Sequence, residues 1–326
     1  YAYIIVIYYG VAATAFYNLL SCIIRALGDS KTPLIFLVFA SFLNVALDLL
    51  FIITFHMGVG GAAWATVLSQ GVSGLLCLGY AWRRFPLLRM EKRHWTFDWS
   101  YAWKHLRLAL PMAMQFVITG TSVLVNQAVL NLFGSAAVAA FSAASKIHML
   151  SEQVAVSFGT AMATYAGQNY GAGKAGRVRE GLRKCALACE GFTLGIMVIM
   201  TAFGGVMSSW FIDGYHPEVI QQAHLYLFIS ALFYPALTML FLYRNTLLGL
   251  GNGVTPMLAG VCELLSRMIG APVLGHFFGF TGLCWINPIA WVTASGLLFL
   301  SYRKTMRNIR SVDSTVDASG SNKIMN

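Results

Sequence analysis

The chain has 326 residues, of which 58% are hydrophobic and only 10% are charged, and its formal net charge is +10. A soluble domain usually carries about a quarter charged residues, so this composition excludes an ordinary soluble protein and predicts a membrane protein. The positive charge does not indicate nucleic-acid binding, because the basic residues fall in loops between apolar segments, where they orient membrane helices.

Nine apolar segments are long enough to cross a bilayer as helices, which requires about 20 residues each. They are 1–27, 34–56, 60–82, 107–133, 136–168, 186–210, 221–250, 256–277 and 281–302. The chain does not begin with methionine, and its first residues already belong to an apolar span rather than a signal peptide. We therefore interpret Tyr1 as an interior point of a longer protein.

Basic residues indicate how the helices are oriented. The loops near 54–60, 133–136, 211–221 and 276–281 contain no Lys or Arg, whereas the alternate loops and the tail are rich in both. The positive-inside rule then places the C-terminus in the cytoplasm of a multi-pass protein of the bacterial inner (plasma) membrane.

An internal repeat indicates two related lobes. Residues 26–34 read ALGDSKTPL and residues 249–257 read GLGNGVTPM. A Gly-x-x-Gly-x-x-Trp pattern follows each copy, at 58–64 and at 279–285. The first copy belongs to three spans and the second to the last three of six. We therefore predict two pseudo-symmetric six-helix lobes in a parallel repeat, with three helices preceding Tyr1.

These boundaries divide the chain into four predicted segments. Residues 1–83 form the remainder of the first lobe, 84–106 a cytoplasmic linker, 107–303 the second lobe and 304–326 a disordered tail. Because a lobe without three of its helices would leave its inner faces unpaired, we predict that residues 1–326 alone do not transport.

The first repeated motif has a simple local interpretation. Gly28 and Gly251 are expected to end one helix in a left-handed conformation. Thr32 and Thr255 are then expected to cap the N-terminus of the next helix, with a proline at its first position.

Three stretches resemble the multidrug and toxic compound extrusion (MATE) family. They are residues 25–33, 166–174 and 244–252, which read RALGDSKTP, AGQNYGAGK and RNTLLGLGN. The resemblance covers about residues 1–303 and implies helices 4 to 12 of a twelve-helix transporter. It also implies antiport, in which H+ or Na+ enters while an organic, often cationic, amphiphile leaves as two lobes rock around a cleft.

The coupling ion stays open, and no cofactor is expected. Proton-coupled members of the family use an aspartate on helix 1, and sodium-coupled members often use acids on helices 7 and 10. Here the segment equivalent to helix 7 offers only neutral polar groups, among them Gln115, Thr119, Asn126 and Gln127, and residues 221–250 contain no acid. Gln115, Asn126 and Tyr243 are candidates for lining the substrate cleft.

Charges inside spans are costly, so they are candidates for function. Glu263 and Arg267 are four residues apart and therefore lie on one face of a helix. The pair is either a neutral clamp between helices or a gated ion pair whose glutamate exchanges a proton or contacts the substrate. In the first repeat Asn44 stands where the second has Arg267, which favours a function specific to one lobe.

Further candidates for ion coupling are Lys146, Glu152 and Asp48. His148 and Glu152 are four residues apart, but no third ligand is evident, so no metal is predicted. The alternative interpretation is that Lys146 and Glu152 compensate one another while buried. Asp48, with Asn44 on the same helix face, is either a proton or sodium site or a structural acid. Arg244 is predicted to extend to the cytoplasmic surface.

Two other functions compete with the antiporter. A flippase for lipid-linked precursors, of the same superfamily, would share the repeat and would need cationic residues to hold a pyrophosphate. A membrane enzyme is disfavoured, because the phosphate-loop, His-Glu-x-x-His and Gly-x-Ser-x-Gly motifs are absent. The expected partners are small organic substrates and the lipid bilayer, and the expected state is a monomer.

Overall fold

The computed structural model describes residues 2–89, 96–212, 214 and 216–322, with backbone alone at residue 2 and over 310–322. The chain divides into two compact units, Tyr1–Asp98 and Trp99–Asn326. The helix bounds within the units test the nine predicted spans.

The first unit contains three long helices. They are α1 (Ala2–Ala26), α2 (Lys31–Leu49, continued by a π-helical turn Leu50–Thr54) and α3 (Gly58–Arg84), followed by a 3-10 turn Pro86–Leu88. Helix α3 packs against both α1 and α2. Tyr17, Ile24 and Cys77 form part of the small core between them. These helices correspond to the predicted spans 1–27, 34–56 and 60–82.

The second unit contains six helices. They are α4 (Trp99–Leu130, continued by a 3-10 turn Asn131–Phe133), α5 (Gly134–Gly171), α6 (Ala175–Ser209), α7 (Pro217–Leu232), α8 (Tyr234–Gly249) and α9 (Val254–Asn322). Helices α7 and α8 meet at a bend of 53°. The bend falls next to Pro235, which cannot donate a backbone hydrogen bond, and together the two helices form the predicted span 221–250.

Helix α9 is a hairpin of two arms, 254–278 and 280–322, which separate at Gly279 (φ 59°). Hydrogen bonds join residues that lie symmetrically on either side of the turn. Arg267 Nε donates to Asn287 Oδ1 at 3.0 Å, and the hydroxyls of Thr255 and Ser301 lie 3.0 Å apart. The two arms are therefore antiparallel neighbours, as predicted for the spans 256–277 and 281–302.

Several helices extend beyond the predicted spans, and α6 begins at Ala175, eleven residues before the span 186–210. Two of these extensions enter the predicted linker and tail. Helix α4 begins at Trp99, so it includes the last part of the predicted linker 84–106. The second arm of α9 continues to Asn322, into the segment 304–326 for which we predicted disorder. In both places helical hydrogen bonding extends past the apolar segment, whose length alone set the predicted boundary.

Among the described residues, six helical stretches are long and apolar enough to cross a membrane, or seven if the bent pair α7–α8 forms one span. Two of the six, Trp99–Gly171 and Val254–Ile309, are divided by turns at Gly134 and Gly279 and each contain two predicted spans. All nine predicted spans thus have helical counterparts, which confirms an all-α polytopic membrane protein.

The two copies of the repeat have the same backbone geometry. Gly28 and Gly251 have φ values of 96° and 81°, as predicted for residues that end a helix. Gly58 and Gly279, which open the second motif of each copy, have φ values of 58° and 59°. A side chain at these positions would be strained, so the glycines are required by the turn.

The predicted capping residues were wrong in both copies. Helix α2 begins at Lys31 and α9 at Val254, so Thr32 and Thr255 lie inside the first turn. The N-cap position of α2 is Ser30, whose side chain makes no capping hydrogen bond. The capping side chains are those of Asp29 and Asn252, whose Oδ1 atoms each accept the backbone N–H of the threonine three residues later at 3.1 Å. Asp and Asn side chains reach these free N–H groups readily, which is why they favour helix starts.

A contact with the third helix of each copy also recurs. Tyr80 donates its hydroxyl to Asp29 Oδ2 at 2.7 Å, and Ser301 contacts Thr255 in the second copy. Tyr80 and Ser301 are 221 positions apart, the separation that also relates Gly58 to Gly279. The repeat found in the sequence is therefore a repeat of three-dimensional contacts.

Candidate functional site

The second unit buries a carboxylate between two guanidinium groups. Glu263, on the first arm of α9, accepts a hydrogen bond from Arg244 Nη2 of α8 on its Oε1 atom. Its Oε2 atom lies 3.6 Å from Arg267 Nη2, one helical turn further along the same arm. The exposed fractions of Arg244, Glu263 and Arg267 are 7%, 5% and 8%. We call these three residues the arginine clamp.

The clamp lies within the depth of a membrane span. Glu263 is nine residues from the start of α9 at Val254 and sixteen from the turn at Gly279. With a rise of about 1.5 Å per residue, these separations correspond to about 14 Å and about 24 Å along the helix. A charged cluster at such depth is expensive and marks a functional candidate.

Hydrogen bonds from neighbouring helices fix Arg267 in place. Its Nη1 atom donates to Ser122 Oγ of α4 at 2.8 Å, and its Nε atom donates to Asn287 of the second arm at 3.0 Å. Asn287 in turn donates to the hydroxyl of Tyr226 of α7 at 3.0 Å. Together with Arg244 of α8, the network joins α4, α7, α8 and both arms of α9.

Arg244 does not extend to the cytoplasmic surface as we predicted. Its guanidinium is buried against Glu263, with its carbon 5.7 Å from the ring centre of Phe241. Its Nε atom is buried and has no hydrogen-bond partner among the described residues. The prediction failed because it considered only water as a partner for the charge, whereas α9 presents a carboxylate at the same depth.

His148 and Glu152 of α5 lie near the clamp. The His148 ring stacks on Trp291 at 5.4 Å, and its Nδ1 atom lies 3.0 Å from the hydroxyl of Tyr234. Its Nε2 atom is 3.9 Å from a carboxylate oxygen of Glu152. The charges of all three clamp residues act on Glu152, whose carboxylate is one third exposed. Glu152 is thus an acidic neighbour of the clamp whose side chain is only partly covered by the described residues.

Lys146 does not compensate the charge of Glu152, so that interpretation was wrong. The lysine is exposed, and its ammonium lies 5.3 Å from the ring centre of Phe211. Lys146 and Glu152 are six positions apart in the sequence. Since only residues three or four positions apart are neighbours on a helix, the two side chains lie on different faces. In the structured parts of the chain, no group of three His, Cys, Asp or Glu side chains is arranged to hold a metal ion.

Two of the three predicted cleft residues lie on α4, on either side of Ser122. Gln115 is buried, and its side chain is close to Gly260 on the first arm of α9. Asn126 is half-buried, one turn beyond Ser122. Both residues therefore lie within two turns of the side chain that holds Arg267, and their role in binding substrate stays a prediction.

The third predicted cleft residue, Tyr243, lies elsewhere. Its ring contacts those of Phe299 and Tyr302, with centroids 5.5 Å and 5.4 Å away. Phe299 and Tyr302 lie at the end of the last predicted span, 281–302. Tyr243 thus belongs to the packing of this end of the unit and not to the clamp.

The first unit holds a separate acidic candidate. Asp48 of α2 is half-buried, and its Oδ1 atom is buried without a hydrogen-bond partner in the part of the chain that the structure describes. Asn44, one turn earlier, donates to Thr66 of α3 at 3.5 Å. The two residues share a face as predicted, and the carboxylate has an unsatisfied oxygen.

Sequence reasoning missed one intramembrane acid. Glu190 lies inside the predicted span 186–210, and its Oε1 atom is buried without a partner among the described residues. The signal was present in the sequence, since a glutamate within an apolar span is rare. The sequence contains no comparable indication for the neutral residues around the clamp, because neutral polar residues are common in membrane helices. These residues are Ser122, Tyr226 and Asn287.

Comparison with known proteins places these features in a family. The MatE family model matches residues 111–273, which include the whole clamp. The probable multidrug resistance protein YpnP of Bacillus subtilis is 33% identical over 289 residues, which are 87% of this chain and 61% of that protein. The probable multidrug resistance protein NorM of Thermotoga maritima is 28% identical over 292 residues, 86% of this chain and 62% of that protein.

A solved structure has the same fold. The MOP superfamily transporter of Pyrococcus furiosus superposes with a TM-score of 0.86 at 21% identity, over 95% of this chain and 70% of that one. The chain spans about three fifths of the length of the two curated relatives. Over the matched part of the chain, three findings indicate the same family. They are the match to the family model, the sequence identity to YpnP and the shared helical fold. The chain belongs to the MATE family of multi-pass membrane transporters, which are not enzymes.

Proposed function

We propose that the protein is a secondary active antiporter that exports small organic compounds, chiefly cationic amphiphiles, in exchange for H+ or Na+. The names of the B. subtilis and T. maritima relatives support multidrug export. The observation that carries the coupling proposal is the buried carboxylate of Glu263 between Arg244 and Arg267. A membrane protein that needed only packing at this place would avoid three buried charges.

The charge balance of the clamp suggests how it would respond to an ion. One carboxylate faces two guanidinium groups, so the clamp has a net charge of +1 when Glu263 is ionised. A proton on Glu263, or a cation that competes for its oxygens, would remove the attraction that holds α8 to the first arm of α9. Arg267 would keep its hydrogen bonds to Ser122 and Asn287, so Arg244 would be the residue released.

Asp48 offers a second place for a coupling ion. Its buried Oδ1 atom has no hydrogen-bond partner among the described residues and could accept a proton or a sodium ion, and Asn44 supplies a neighbouring polar group. An unsatisfied buried oxygen costs free energy that a bound ion would recover. Glu263 and Asp48 are in different units, so each is tested separately.

The test is transport by everted membrane vesicles that contain the protein encoded by the complete gene. Uptake of a fluorescent organic cation is followed under an imposed proton gradient and, separately, under a sodium gradient. We expect one of the two gradients to drive uptake, and Glu263→Gln or Asp48→Asn to abolish it. Glu180→Gln is the matched control, because Glu180 is an exposed acid that pairs with Lys184.

The alternative function is tested by the same vesicles. If neither gradient drives transport of any organic cation, the antiporter proposal fails. The clamp's excess positive charge would then favour the flippase for lipid-linked precursors, in which guanidinium groups hold a pyrophosphate.

We further propose that the protein is a monomer in the bacterial inner membrane with its C-terminus in the cytoplasm. The orientation is supported by the distribution of basic residues, which are absent from the loops near 133–136 and 276–281. The monomeric state is the expectation from the sequence alone. A C-terminal tag should be digested by protease only in everted vesicles. Digestion in right-side-out vesicles would show that the C-terminus lies on the outer side of the membrane.

A further inference from the structure

A basic cavity lies at the end of the second unit where α6 begins, in addition to the clamp. Its volume is about 810 Å³, and three arginines line it, namely Arg179 of α6 and Arg303 and Arg307 of the second arm of α9. Among the residues whose side chains the structure describes, no carboxylate forms an ion pair with these three guanidinium groups. The cavity therefore has a concentrated positive charge, in which the guanidinium carbon of Arg303 lies 5.6 Å from the ring centre of Phe299.

The start of helix α6 adds further donors to the same cavity. Ala175 and Gly176, the first two residues of α6, form part of its wall. The first N–H groups of a helix have no acceptor within the helix, and the helix dipole makes this end partly positive. A helix start combined with arginines is a common arrangement for binding phosphate.

Tyr302 forms part of the cavity wall. Its side chain lines the cavity and is only 9% exposed, yet its hydroxyl has no hydrogen-bond partner in the described part of the chain. The hydroxyl oxygen itself is buried, and the ring packs on that of Tyr243, so the accessible part of Tyr302 in the cavity wall is its ring.

The remaining walls are apolar. Phe299 and Met306 line the cavity beside Tyr302, and the neighbouring Leu300 is 67% exposed on the helix surface. The predicted last span ends at residue 302, so the arginines lie where headgroups meet water. The cavity thus combines a basic, polar side with an apolar side at the depth of a lipid headgroup.

We propose that this cavity binds the phosphate group of an anionic amphiphile, with an anionic phospholipid of the surrounding leaflet as the source. The three arginines and the start of α6 bind the phosphate oxygens, and the Tyr302 ring lies beside them in the cavity wall. The acyl chains lie along Phe299 and Met306. This site is distinct from the clamp, and the proposal does not depend on the coupling mechanism.

Lipid retention by the purified chain tests the proposal. The protein encoded by the complete gene is extracted in a mild detergent, incubated with phosphatidylglycerol or phosphatidylcholine of identical chains, and examined by native mass spectrometry. The test variant is the triple substitution Arg179→Gln, Arg303→Gln and Arg307→Gln. The control is Arg183→Gln. Arg183 is exposed and lies one helical turn after Arg179 on α6, but it does not line the cavity. Tyr302→Phe removes only the hydroxyl.

We expect wild-type protein to retain phosphatidylglycerol over phosphatidylcholine, and the triple variant to lose at least about fivefold of this retention. Because the Tyr302 hydroxyl is itself buried, Tyr302→Phe should retain the lipid as wild type does. Equal retention by wild type and the triple variant would overturn the proposal, as would an equal loss in Arg183→Gln. Inorganic phosphate is the second probe. If phosphate alone protects the protein against thermal unfolding and phosphatidylglycerol does not compete with it, the lipid source is wrong.

Thermal unfolding in detergent guards against a folding defect. The triple variant should unfold at the same temperature as wild type in lipid-free detergent and should lose the stabilisation that phosphatidylglycerol gives to wild type. A wild-type protein that gains no stability from phosphatidylglycerol would contradict the proposal even if the variants fold poorly.

Discussion

Removal of the Glu263 charge should destabilise the second unit strongly. The substitution Glu263→Gln keeps an oxygen that accepts a hydrogen bond from Arg244, but it leaves two buried guanidinium groups without a counter-charge. The net charge of the clamp rises from +1 to +2. Breaking a buried pair by removing one partner costs about 3–5 kcal/mol, and burying one charge in a membrane span costs about 2.5–3.5 kcal/mol. We therefore expect a loss of about 3 kcal/mol.

The assay is reversible unfolding of the purified chain in mixed micelles, in which sodium dodecyl sulfate is the denaturant. A double-mutant cycle combines Glu263→Gln with Arg244→Gln, and the double variant should recover much of the lost stability. The matched control is the cycle of Glu180→Gln and Lys184→Gln. That pair is as close, at 2.6 Å, but its side chains are 63% and 75% exposed, so water screens the attraction.

Comparison of the two cycles shows whether burial strengthens the ion pair of Arg244 and Glu263. If the coupling energy of Arg244 and Glu263 does not exceed that of the exposed pair, then burial adds nothing to the interaction. The clamp would then not be an ion pair that responds to a proton or cation, and its place in the coupling mechanism would be refuted.

Two further predictions concern the fold. The hydroxyl of Thr32 is the largest cause that lowers the pKa of Asp29 to about 2, so the stabilising effect of this carboxylate is present above its ordinary pKa of about 3.9 and is lost as the pH falls through about 2. Asp29→Asn should remove that part of the pH dependence of unfolding between about pH 4 and pH 2, and an unchanged profile would contradict the assignment. Gly282→Ala would place a methyl group far inside contact distance of the backbone carbonyl of Leu274 and should cost about 1–3 kcal/mol, whereas Gly296→Ala, with open space around it, should not destabilise. Equal unfolding midpoints for these two alanine variants would refute the close packing of the α9 hairpin.

The fold was largely predictable because the bilayer imposes long apolar segments and the repeat supplies landmarks. All nine spans were found from apolar length, and the turns at Gly28 and Gly251 followed from residue type. The capping residues were not, because Asp29 and Thr32 are both good caps and only the backbone path decides between them.

The candidate site was only partly predictable. The pair Glu263 and Arg267 is visible in the sequence, since residues four apart share a helix face. The closer partner of Glu263 is Arg244, which lies 19 residues away on another helix, and only the packing of α8 against α9 brings them together. Periodicity within one helix contains no information about such a contact. For the same reason it could not identify Ser122 or Asn287 as the side chains that hold Arg267.

The most direct measurement is the rate of gradient-driven export by Glu263→Gln relative to Glu180→Gln, in vesicles that contain equal amounts of folded protein. We predict that Glu263→Gln loses at least about tenfold in rate under the coupling gradient, while it still exchanges substrate across the membrane when no gradient is imposed. Glu180→Gln should export at the wild-type rate. Undiminished gradient-driven export by Glu263→Gln would show that the buried carboxylate does not couple transport to the ion.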